Sequence, residues 1–78
     1  METRIGAGAT YVFPAGALDD QVELDNRHNA AGQVTYQIAA QPAVNIQVQP
    51  NQEYTINHIR AQSLTITNGL PNGLYVVY

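Results

Sequence analysis

The chain has 78 residues, a net charge of -3, no cysteine and no lysine. That length specifies one domain with a small core, and the missing thiols exclude disulfides and thiolate metal sites. The basic side chains are Arg4, Arg27 and Arg60, one in each third of the chain. Such a scatter lacks the electrostatic footprint that nucleic-acid binding needs.

Residues 1–9, METRIGAGA, read as a flexible N-terminal arm, because Gly6, Ala7, Gly8 and Ala9 have little side chain to bury. There is no basic segment followed by an apolar run, so the chain reads as leaderless, made in the cytoplasm and without a membrane span. A single β domain is expected from residue 10 to residue 78. Thr10 to Phe13 is rich in β-formers and stops at the turn Pro14-Ala15-Gly16-Ala17. Gln21 to Asp25 reads as a short strand with Val22 and Leu24 inward. Residues 26–32 form a polar loop.

Gln33 to Ala40 is the longest alternating run, with Val34, Tyr36 and Ile38 set between Thr35 and Gln37. Ala43 to Gln49 follows between Pro42 and Pro50, and Gln52 to Asn57 comes next. His58 to Ala61 is a short connection, Gln62 to Asn68 is another strand, and residues 69–73 are a strong turn. Leu74 to Tyr78 closes the chain, apolar on both faces. Period two is the mark of strands with one buried face. About seven short strands at regular spacing predict an all-β fold, a small antiparallel sandwich or jelly roll.

The polar face of these strands is Thr, Asn and Gln, not Lys and Glu, and lysine is a common guard of sheet edges. The closing strand is short, apolar and free of charge and proline. Left at an edge it is an aggregation site, so it calls for a cover: a second copy, a neighbour's arm or a host surface. A central place in the chain's own sheet also satisfies it. On the first reading the interface candidates are Ile5, Tyr11, Phe13, Leu74, Tyr75, Val76, Val77 and Tyr78.

Constellations for chemistry are sparse. Asp19, Asp20, Glu23 and Asp25 are the one acidic cluster in sequence, and their spacing does not fit an EF-hand loop. They read as a turn followed by the solvent face of a strand. His28 and His58 read as solvated. Ser63, the only serine, lies on an alternating strand and not on a sharp elbow. No phosphate loop is present. The expectation is therefore a non-enzyme with no cofactor and no metal. Loop residues Asn26, Asn29 and Asn72, with Tyr11, Tyr54, Tyr75 and Tyr78, leave a carbohydrate-binding module or small lectin as the alternative.

At the level of class, the chain resembles the small, leaderless, cysteine-free β proteins that serve as accessory components of phage particles, such as capsid decoration or cement proteins. The likeness rests on size, low charge, β-rich character and the Gly/Ala segment, with no shared motif. It implies a structural protein that associates with itself as a homo-oligomer or with a capsid, and a virion particle as its final location.

Overall fold

The computed structural model describes residues 1–18, 20–57 and 62–78; Asp19, His58 and Arg60 lie outside the described residues. The described residues form eight strands and no helix: β1 (Glu2–Ile5), β2 (Thr10–Phe13), β3 (Gln21–Asp25), β4 (Gly32–Ile38), β5 (Val44–Val48), β6 (Glu53–Asn57), β7 (Leu64–Gly69) and β8 (Leu74–Val77). The alternating runs supply seven of them at nearly the expected bounds. The eighth, β1, comes from the segment read as an arm.

Two four-stranded sheets result, with strand orders β1-β8-β3-β6 (sheet I) and β2-β7-β4-β5 (sheet II). Every pairing is antiparallel. The chain behaves as a ribbon in which β1 pairs with β8, β2 with β7, β3 with β6 and β4 with β5. Rolling that ribbon adds the contacts β3–β8 and β4–β7. This is the connectivity of a jelly roll. Among the described strands only β4 and β5 are consecutive within one sheet, and each other consecutive pair is divided between the two sheets.

The core follows the alternation. Ile5, Val22, Leu24, Ile56, Leu74 and Val76 of sheet I face Phe13, Val34, Val48, Leu64 and Ile66 of sheet II. Leu18 and Leu70, from connections, complete the same cluster. Tyr36, Ile38, Ile46, Tyr54 and Tyr78 pack around its margin.

Two buried asparagines hold the connections. Asn68 is wholly buried, and its Nδ2 donates to the carbonyls of Ile5 (3.0 Å), Gly6 (3.2 Å) and Asn72 (2.8 Å). Its Oδ1 accepts from the Leu70 amide at 2.9 Å. One side chain thus ties the β1–β2 connection to the β7–β8 turn. At the other end Asn26 donates to the carbonyls of Ala30 (2.9 Å) and Gln49 (3.0 Å). Burial of amides without such partners is costly, so these bonds specify the loop paths.

The arm expectation is corrected by β1. Residues 2–5 pair with β8 in register from Glu2–Val77 to Ile5–Leu74, and Ile5 is buried in the core. The Tyr78 amide donates to the Met1 carbonyl at 2.9 Å. The closing strand is therefore not an edge: β1 covers one side of it and β3 the other. The cover comes from the chain itself.

Candidate functional site

Alternation assigns the residues that point away from the core. On sheet I the outward positions hold Glu2 and Arg4 of β1, Tyr75 and Val77 of β8, Glu23 and Asp25 of β3, and Glu53 and Thr55 of β6. Register places Arg4, Tyr75, Asp25 and Glu53 in one row across the sheet, with Glu2, Val77, Glu23 and Thr55 in the next. Charge is concentrated here.

Arg27, just after β3, lies over the Tyr75 ring with its guanidinium carbon 4.2 Å from the centroid. It pairs with Glu2 and, at 3.3 Å, with Asp25. The hydrogen bond from Arg27 holds the Glu2 carboxyl below its ordinary range. Beyond Asp25, three carboxylates converge: one oxygen each from Glu23, Asp25 and Glu53 lie within 4.8 Å of one another. The Glu23 pKa is pushed up to about 6, by burial first and then by its neighbours Asp25 and Glu53. Asp25 and Glu53 stand directly opposite each other on paired strands. A like-charge cross-strand pair is destabilising in a sheet. A shallow depression of about 140 Å³ adjoins them, lined by Asp25, Asn26, Arg27, Asn51, Gln52 and Glu53. It is small beside the roughly 300–1,000 Å³ of ordinary ligand pockets.

Sheet II is the opposite case. Its outward residues are Thr10 and Val12 of β2, Thr65, Thr67 and Gly69 of β7, Gln33, Thr35 and Gln37 of β4, and Asn45 and Gln47 of β5. Among the described residues none of these is charged. Thr10, Thr67, Thr35 and Asn45 share one row across all four strands. Within the row the Thr10 and Thr67 hydroxyls are 3.0 Å apart, and the Thr35 hydroxyl donates to Asn45 Oδ1 at 2.7 Å. The two edges, β2 and β5, also lack charge, whereas the sheet I edges carry Glu2 and Arg4 on one side and Glu53 on the other. Val12 is 57% exposed and Val44 42% exposed on these unguarded edges.

The structure redistributes the expected interface residues. Ile5, Phe13, Leu74 and Val76 are core side chains, withdrawn from any outer surface because their strands pair within the chain. Tyr75 lies beneath Arg27, and half-buried Val77 shares a row with Glu2 and Glu23. The Tyr78 hydroxyl sits 3.0 Å from that of Thr3, and the Tyr78 ring packs edge-on against Phe13. Tyr11 alone of the set stays exposed, its ring tilted against that of Phe13 with centroids 4.6 Å apart. Of the lectin candidates, Asn26 is a buried structural residue and Asn72 lends its carbonyl to Asn68. Sequence reasoning missed Glu53 as a partner of Glu23 and Asp25, since the β3–β6 pairing that joins them spans the middle of the chain.

No helix among the described residues is long and apolar enough to cross a membrane. The chain matches no protein-family model, no curated protein and no solved structure.

Proposed function

We propose that this protein is a small structural module that associates with a second copy of itself through sheet II, using its outer face and its open edges β2 and β5. The observation that carries this reading is the segregation of charge. Charged side chains crowd the outer face of sheet I, while the outer face and both edges of sheet II carry none. Burying that surface costs little desolvation of ions, and its hydroxyls and amides can donate and accept across a contact. Unpaired edge amides and carbonyls are templates for strand addition.

The molecule's extents of 32 × 25 × 18 Å suit this role. A broad face of that size approaches the ~800 Å² that each partner contributes to a stable complex. An accessory role on a virion, of the decoration or cement type, is the larger setting in which such a module fits. The carbohydrate reading is less favoured, because the sheet II face has no aromatic ring on which a sugar could stack.

Light scattering after gel filtration, over a dilution series, tests the proposal. The expected mass exceeds the 8.5 kDa of one chain. Thr67→Lys at the centre of the face and Asn45→Lys beside the β5 edge should return it to a monomer with unchanged circular dichroism. A monomer at every concentration would remove self-association and leave only docking on a pre-existing particle surface. A multimer insensitive to both substitutions would show that sheet II is not the contact.

A further inference from the structure

We infer that Glu23, Asp25 and Glu53 form a divalent-cation site, with calcium the ion whose chemistry it fits. The three carboxylates reach one point from two paired strands, with an oxygen of each within 4.8 Å of the others. Hard oxygen donors without imidazole or thiolate select calcium or magnesium over zinc.

A second observation points to a ligand. Asp25 is only 8% exposed, yet its Oδ1 is sealed from solvent and has no hydrogen-bond partner. Its other oxygen, Oδ2, accepts from Arg27, which approaches over Tyr75 and Glu2 on the β8 and β1 side. Oδ1 is left without a donor, and on the β6 side of Asp25 the residue directly opposite is Glu53. A buried carboxylate oxygen with no donor is an expense that folded proteins rarely leave unmet. A cation at the convergence of the three groups would satisfy it and cancel the like-charge pairing of Asp25 with Glu53.

The neighbourhood offers room for the rest of a coordination shell. The adjoining depression of about 140 Å³ is lined by Asn26, Asn51 and Gln52 besides Asp25 and Glu53, with Arg27, already paired to Asp25 and Glu2, also in its wall. Waters occupying it could complete the six to eight oxygens that calcium takes in irregular geometry, while magnesium demands a near-ideal octahedron.

The test uses the full chain, stripped of metal by a chelator and titrated with calcium alone by calorimetry at neutral pH. One ion per chain is expected, with a dissociation constant on the order of 10⁻⁴–10⁻³ M, the weak end of the range that carboxylate calcium sites span. The melting temperature should rise by several degrees in calcium. Glu53→Gln, on the exposed side of an edge strand, and Glu23→Gln should each weaken binding about ten-fold or more. Asn57→Ala, on the same strand but outside the cluster, should leave it unchanged. The site is refuted by no saturable uptake up to about 10 mM calcium, well above the expected range. It is equally refuted by uptake that survives both carboxamide substitutions.

Discussion

Replacing Asn68 by alanine should remove a large part of this protein's stability. The side chain makes four hydrogen bonds: three from Nδ2 to the carbonyls of Ile5, Gly6 and Asn72, and one to Oδ1 from the Leu70 amide. Nδ2 has two hydrogens, so two of its three acceptors share one, and roughly three full bonds are at stake. A net hydrogen bond is worth about 1 kcal/mol, and a buried group left without its partner costs about 1–3 kcal/mol. Asn68 is wholly buried, so little water replaces it. The expected loss is ~3–5 kcal/mol, against a total near 0.05–0.15 kcal/mol per residue.

Urea unfolding followed by far-ultraviolet circular dichroism measures this directly. With a slope of about 1 kcal/mol/M, the midpoint should fall by ~3 M, or the variant should be unfolded without urea. Asn68→Asp sharpens the test, because it keeps the shape and replaces the donor with a carboxylate facing three carbonyl oxygens. It should be worse than alanine at neutral pH and recover towards it on acidification. A loss below ~1 kcal/mol for Asn68→Ala would refute the reasoning, since that is the value of a single ordinary hydrogen bond.

Further outcomes follow from other parts of the fold. Gly69→Ala should cost about 1–3 kcal/mol by overpacking, because a Cβ there would meet the Gln33 carbonyl oxygen at 2.3 Å. Gly73→Ala should be milder in the same melt, because what its Cβ meets is the mobile end of Arg4. Ile5→Ala should cost about 2–5 kcal/mol by thermal melting, as expected for a core residue and not for an arm. In chelator, unfolding midpoints should fall as pH rises from 4.5 towards about 6, and Glu23→Gln should flatten that slope. The sign follows because the folded state binds the Glu23 proton more tightly than the unfolded chain does. Glu2 acts in the opposite sense: its lowered pKa adds stability above 4.5 that is lost as pH falls through the folded value.

The strands were legible from the sequence because alternation is a local property. Val34, Tyr36 and Ile38 in β4, or Leu64 and Ile66 in β7, share a face whatever strand lies beside them. β1 escaped notice because it is four residues long with one buried apolar side chain, Ile5. Too little alternation exists there to read. The apolar closing strand announced that it needed cover, but edge and centre make the same demand on a sequence. The Asp25–Glu53 pairing and the neutral face of sheet II depend on register between distant segments.

Taken by itself, then, the sequence determined an all-β chain, which side of most strands is buried and where the turns fall, because each follows from residues within a few positions of one another. Strand order, the covering of β8 by β1, the hub at Asn68 and the convergence of three carboxylates were decided by tertiary structure alone. Alternation tells a strand which face to bury and says nothing of its neighbours, which are chosen only when the whole ribbon closes over one core.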